Sequence, residues 1–181
     1  KSKGYFVGIN LMQITEQSED KIINASKKIK DAKPDVLYFA DSLGAMGTSE
    51  VSKYVRNLRT HWKGELGIHT HNNLGKAISN SIAAIESGVT WIDSTVTGMG
   101  RGPGNSETEY LLIEMPKFSK QKFNLLPITK LIKKHFEPLK MRYKWGPNPF
   151  YYLAGKHGIH PTYIQEMLSI KMDDIEIFEA I

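Results

Sequence analysis

At 181 residues, with hydrophobic side chains at 40%, the chain is long enough to bury the core of one ordinary domain and too apolar to be disordered. Cysteine is absent, which excludes a disulfide framework or a thiolate site and suits a reducing, cytoplasmic location. The formal charge of +5 raises nucleic acid as a partner, but Lys27, Lys28, Lys30 and the stretch Lys117 to Lys144 read as solvated basic faces, so no nucleic-acid partner is expected. No apolar run approaches bilayer-spanning length, and Lys1 to Gly4 carries no initiator Met, apolar signal core or Arg-rich transit pattern, so no membrane partner is expected either.

Short apolar, β-branched or aromatic runs at Tyr5 to Leu11, Val36 to Ala40, Leu66 to Ile68 and Val89 to Val96 predict buried strands. Between them, apolar residues fall at helical spacing: Ile22, Ile23, Ala25 and Ile29, then Val51, Val55 and Leu58, then Ala77, Ile78, Ile82 and Ile85. One strand start follows another after roughly 25 to 30 residues, the length of a βα unit, which predicts an α/β fold with a parallel sheet. Spacing alone leaves a doubly wound sheet and part of a barrel both open. A last helix of the alternating region is expected over Glu107 to Met115. From Pro116 the chain turns basic and helical, with helices over Ile128 to Leu139, Phe150 to Lys156 and Pro161 to Ile170, and a short one capped by Asp173-Asp174. This divides the chain into residues 1–115 and a helical segment 116–181. The basic, aromatic Lys140-Met-Arg-Tyr-Lys-Trp145 reads as a helix end entering the Gly-Pro-Asn-Pro149 loop.

Three strand ends carry chemistry. In Gly67-Ile-His-Thr-His-Asn-Asn73, alternation sends His69 and His71 to one side of the strand, a two-nitrogen grip suited to a divalent metal that needs a carboxylate or water to complete it. Taken alone, the pair reads equally well as two structural histidines. The loop Thr97-Gly-Met-Gly-Arg-Gly-Pro-Gly-Asn105 lets backbone approach a ligand closely, and amides at the helix start after it can hold a carboxylate. A dinucleotide fingerprint fits it poorly, because Pro103 stands where a glycine is needed. Asp41 and Ser42 end the second strand, where they can orient a ligand or simply form a turn before a helix capped at Thr48 or Ser49. Asp93 is either support for the imidazoles or a satisfied structural carboxylate. His157 and His160, around Gly158 and before Pro161, read as a turn rather than a second metal site.

In that order, Asp41-Ser-Leu-Gly-Ala-Met46, Gly67-Ile-His-Thr-His-Asn-Asn-Leu-Gly75 and Ile92-Asp-Ser-Thr-Val-Thr-Gly-Met-Gly-Arg-Gly-Pro-Gly-Asn-Ser-Glu-Thr-Glu109 resemble the metal-dependent 4-hydroxy-2-oxovalerate aldolases. More broadly they resemble the superfamily of 3-hydroxy-3-methylglutaryl-CoA lyase and the isopropylmalate and homocitrate synthases. The resemblance runs from Tyr5 to Met115 and implies strands 5 to 8 of a TIM (β/α)8 barrel with an appended carboxyl-terminal helical segment. It implies a divalent metal, Mn2+ or Mg2+, on His69 and His71, with Asn105 at or near it. It also implies a third ligand and a general base in an amino-terminal half that lies outside the 181 residues. Ser42, with Asp41, Gly100 and Gly102, is implied to bind substrate, and Tyr151 or Tyr152 to stand near it as a catalytic tyrosine or as helix packing. The chemistry implied is retro-aldol cleavage of a 4-hydroxy-2-oxo acid to pyruvate and an aldehyde, with the metal as Lewis acid. Four βα units leave open sheet edges. The chain is therefore expected to be a fragment, inactive alone, that pairs with the missing half barrel or a second copy; a dehydrogenase is a further expected partner. A Claisen-type synthase, a hydroxymethylglutaryl-CoA lyase-like enzyme and a catalytically silent half barrel are the rival readings.

Overall fold

The computed structural model describes residues 3–181; Lys1 and Ser2, part of the segment read above for targeting signals, lie outside the described residues. The chain forms two compact units. One comprises the chain up to Ser42 with Met46–Thr70 and Ser79–Asp93; the other comprises Leu43–Ala45, His71–Ile78 and Ser94–Ile181.

The first unit holds strands β1 (Gly8–Leu11), β2 (Val36–Asp41), β3 (Glu65–Thr70) and β4 (Trp91–Ile92), in the order β1-β2-β3-β4 and all parallel. Helices α1 (Glu19–Ala32) and α2 (Thr48–His61) make the crossovers, and α3 (Ala77–Glu86) leads into β4. Parallel strands need such crossovers, and the regular strand order is that of consecutive βα units. Each helix start is held by a neighbouring side chain. The Ser18 hydroxyl accepts from the Lys21 amide at 3.4 Å. The start of α2 departs from expectation: Gly47, not Thr48 or Ser49, precedes it, and the Glu50 carboxylate reaches back to the Gly47 amide at 2.8 Å.

Register assigns the two faces of the sheet. Leu37, Phe39, Leu66 and Ile68 point toward the helices and pack with Val51, Val55, Leu58 and Trp62. Complete burial of each large side chain there contributes about 1.5–3 kcal/mol. The opposite face carries, in register, Asn10, Tyr38, Gly67 and Trp91, with His69 beside Ala40 one step further along. On that face Phe6, just before β1, stacks on Trp91 of β4 with ring centroids 5.2 Å apart. Two strands separate them in the sheet, so the sheet is curled rather than flat. β4 is much shorter than its apolar run Val89 to Val96. It pairs only with β3, its last strand-like contact is the Asp93 amide on the Ile68 carbonyl at 3.1 Å, and the Thr95 amide goes instead to the Ser106 carbonyl. Among the described residues no further strand pairs with the outer edge of β1 or β4.

The second unit is mostly helical: α4 (Thr108–Glu114), α5 (Leu126–Leu131), α6 (Glu137–Tyr143), α7 (Pro149–Lys156), α8 (Pro161–Ser169) and α9 (Asp174–Ala180). The helix expected over Ile128 to Leu139 runs on at both ends and widens to a π-turn at Ile132–Phe136. Pro138 accounts for the widening, since it lacks an amide and its ring crowds the carbonyl four residues earlier. Phe150, Tyr151, Ala154, Ile164 and Ile177 form this unit's core. Asn148 caps α7 on the Tyr151 amide at 2.9 Å, and Asp173 caps α9 on the Ile175 amide at 2.9 Å, as its position before the last helix led us to expect. Among the described residues no helix is long and apolar enough to cross a membrane.

Candidate active site

The candidate residues fall into two groups, one in each unit. In the first, Asp41 ends β2 on the face of Leu37 and Phe39, fully buried, and its carboxylate accepts from the Met46 amide at 3.3 Å. The buried Ser42 hydroxyl accepts from the Gln13 amide at 2.9 Å. Asp41 therefore holds the turn that leaves β2, and Ser42 ties the start of that turn to the residues after β1. Thr70 meets Ser81 at 3.2 Å through their hydroxyls, on the side of α3. By alternation His69 lies on the opposite, curled face. There its Nδ1 is 3.1 Å from Oδ2 of Asp93. Asp93 also accepts a hydrogen bond from Tyr38, whose pKa is pushed from 10.0 to about 12, first by burial and then by the negative charge and hydrogen bond of Asp93. The Tyr38 ring lies over Gly67, where any Cβ would collide with it. Asp93 was an open question in the sequence. Tyr38 was not singled out at all, and its one signal is a glycine inside a strand, which marks close approach by another group.

In the second group, His71 pairs through its backbone with Asn105, and the Asn72 amide donates to the Gly104 carbonyl at 2.9 Å. The glycine loop is thereby tied to the residues that follow β3. It closes on itself where the Asn105 amide meets the Gly98 carbonyl at 3.1 Å, and Thr97, Gly98, Gly102 and Gly104 all take left-handed backbone. The Asn105 side chain donates to the Met99 carbonyl at 3.3 Å and lies against Gly100. The ring of Tyr151, almost fully buried, lies against Gly102. Burial raises the Tyr151 pKa, opposed by Arg101. Tyr152, by contrast, is 47% exposed. Gly100 and Gly102 thus make room for Asn105 and Tyr151. Trp145, which sequence reading treated only as a helix end, donates through its indole N–H to the Thr97 carbonyl at 3.0 Å and anchors the loop. Asn72 was passed over too; it caps α3 on the Ala77 amide at 3.1 Å and donates to Glu107 at 3.3 Å. Burial raises the pKa of Glu107. His160 caps α8, its Nδ1 accepting from the Thr162 amide at 3.4 Å, and Gly158 beside it takes left-handed backbone.

Comparison with known proteins places this arrangement. Residues 1–132 match the HMGL-like family. The chain belongs to the HMGL-like family. Among curated relatives, the 4-hydroxy-2-oxovalerate aldolase of Carboxydothermus hydrogenoformans is 39% identical over 98 residues, 54% of this chain and 29% of that protein. That of Geobacillus stearothermophilus is 41% identical over 93 residues, 51% of this chain and 27% of that protein. The match therefore spans about a third or less of the length of these relatives. Among solved structures, the N-terminal domain of a proposed aldolase from Bacteroides vulgatus superposes with a TM-score of 0.84 at 30% identity, over 99% of this chain and 59% of that one. The HMG-CoA lyase of Bacillus subtilis superposes with a TM-score of 0.66 at 19% identity, over 82% of this chain and 53% of that one, a likeness of fold.

HMGL-like enzymes are generally metal-dependent, and the donors present can be weighed for a metal. Two imidazoles two residues apart suit a divalent transition ion, and a carboxylate on the Nδ1 of one of them is a usual companion of a ligating histidine. Among the described residues no three His, Cys, Asp or Glu side chains converge. The residues present therefore fit part of a ligand set.

Proposed function

We propose that this chain is the carboxyl-terminal half of a (β/α)8 barrel, strands 5 to 8, of an aldolase that cleaves a 4-hydroxy-2-oxo acid to pyruvate and an aldehyde. The observation that carries the reading is His69, held through Nδ1 by Asp93 at the carboxyl end of a parallel strand and followed two residues later by His71. Sites in such folds sit at the carboxyl ends of strands. Similarity to proteins named 4-hydroxy-2-oxovalerate aldolase supports the substrate class. Among the described residues the outer edges of β1 and β4 have no strand partner, which supports the half-barrel reading, since unpaired edges need cover from a missing half or a second copy.

In this reading His69 and His71 are the chain's ligands to Mn2+ or Mg2+, and Asn105 lies at or near the ion. A bound metal supplies Lewis-acid stabilisation of the negative charge that develops on the 2-oxo oxygen as the carbon–carbon bond breaks. Ser42, already accepting from Gln13, keeps its hydroxyl proton to donate to the substrate carboxylate, and Asp41 holds the turn that presents Ser42. Gly100 and Gly102 admit Asn105 and Tyr151 to the loop, and Tyr151 is better held than Tyr152 to present a hydroxyl to substrate. The third ligand and the general base come from the other half of the barrel, so residues 1–115 and the helical segment 116–181 act only as part of a longer assembly. A dehydrogenase that consumes the aldehyde is the partner such a reaction calls for.

The test is pyruvate release from 4-hydroxy-2-oxovalerate by the complete gene product with added Mn2+, coupled to lactate dehydrogenase. Release that EDTA abolishes supports the reading. Metal binding without release moves the reaction to the synthase or lyase branches, and absence of both leaves a silent half barrel.

A further inference from the structure

We propose that Asp93 is a positioning residue for the metal centre: its carboxylate, braced by the Tyr38 hydroxyl, fixes His69 in the tautomer that presents Nε2 to a divalent ion. This rests on the metal reading above and adds the means by which the fold prepares one ligand.

An ionised carboxylate only accepts hydrogen bonds, so Nδ1 of His69, 3.1 Å from Asp93 Oδ2, must carry the proton of that contact. Neutral imidazole has one N–H, so a proton held on Nδ1 leaves Nε2 as the lone-pair nitrogen. A single exposed carboxylate would do this loosely, because a side chain in water gains little from one geometry. Asp93 is 45% exposed and His69 25% exposed, so water alone does not hold them in place. The Tyr38 phenol, close enough to Asp93 to hydrogen-bond with it, restricts that freedom. Tyr38 is itself fixed: it sits on the central strand β2, beside Gly67 of β3 in register, and its ring occupies the space that a Gly67 side chain would fill. Tyr38 on β2, His69 on β3 and Asp93 just past β4 thus form one chain of contacts, Tyr38 to Asp93 to His69, on the curled face of the sheet and away from the apolar core.

The apolar core lies on the other face of the sheet, so the directed consequence of this chain of contacts is the orientation of His69.

The test uses the complete gene product labelled with 15N-histidine, which carries the proposed third ligand as well as His69 and His71. Long-range 1H–15N correlation of the metal-free protein is expected to report His69 as the Nδ1–H tautomer. Asp93→Ala shifts it toward Nε2–H, the form favoured by an unrestrained imidazole, while Asp93→Asn, which keeps an accepting oxygen, retains the Nδ1–H form. Titration with Co2+, followed by the paramagnetic shift of the His69 ring signals, is expected to give an affinity 10–100-fold weaker in Asp93→Ala, with a smaller loss in Tyr38→Phe. A tautomer and a Co2+ affinity unchanged by Asp93→Ala, beside a wild type that binds Co2+, overturn the positioning role and leave the metal reading standing. Failure of the wild type to perturb His69 with Co2+ overturns the metal reading and the proposal with it. A change in folding is recognised separately, because it would scatter signals beyond His69.

Discussion

Replacing Gly104 by alanine tests whether the glycine loop is built as described. Gly104 has φ +79°, and a Cβ there would fall against the Gly98 carbonyl oxygen, the same oxygen that accepts from the Asn105 amide at 3.1 Å. Two costs add. Left-handed backbone costs an L-residue about 1–2 kcal/mol, and forcing an atom into filled space costs about 1–3 kcal/mol. The expected loss is therefore about 2–5 kcal/mol, read by urea denaturation with far-UV circular dichroism and tryptophan fluorescence. Gly75→Ala separates the two costs: Gly75 has φ +66° but nothing within 4 Å of its added Cβ, so only the backbone cost, about 1–2 kcal/mol, remains. The difference between the variants measures the clash with Gly98. If Gly104→Ala destabilises no more than Gly75→Ala, the loop is not closed by the Asn105 to Gly98 contact, and the placement of Asn105 falls with it.

Two further outcomes follow from the site. The Tyr38 phenol ionises near 12 rather than 10.0, so between those values the folded chain keeps a proton that the unfolded chain has lost; its contribution to stability is full below pH 10 and fades as pH rises toward 12. Tyrosine 13Cζ titration is expected to find one high-pKa ring that disappears in Tyr38→Phe and moves down in Asp93→Asn without reaching the ordinary value, because burial is the larger cause; a Tyr38 titrating with the exposed tyrosines would contradict the contact. Ser42→Ala strands the Gln13 amide and is expected to cost about 1–3 kcal/mol in thermal or urea denaturation. In the complete enzyme the same variant is expected to raise KM for the 2-oxo acid, and an unchanged KM would remove Ser42 from the substrate site.

The strands and helices of the first unit were readable because their apolar spacing and their burial obey the same geometry: Val51, Val55 and Leu58 lie on one face of α2 and are all buried. Where spacing and burial part, the sequence misled. Val89 to Val96 reads as one strand, but only Trp91–Ile92 forms a ladder with β3, while Thr95 turns away to an isolated bridge with Glu107, and pairing, not apolarity, makes a strand. The helix around Pro138 was placed correctly, but its widening depends on a single missing amide, which periodicity does not register. His69, His71 and the glycine loop stood out because their residue types are uncommon in those settings. Tyr38 did not, since Val-Leu-Tyr-Phe-Ala-Asp is apolar almost throughout, and which face the ring takes is decided by register against Gly67 on another strand. Trp145 was missed for a similar reason: its indole bonds Thr97, and a contact between residues so far apart in the chain leaves no local trace.

The central claim is metal-dependent aldol cleavage through His69 and His71. Its most direct test is Mn2+-dependent pyruvate release from 4-hydroxy-2-oxovalerate by the complete gene product, beside its His69→Ala/His71→Ala double variant. The account predicts release by the wild type that is lost on chelation, restored by Mn2+, and absent from the variant at any metal concentration. Release that survives loss of both histidines would contradict it.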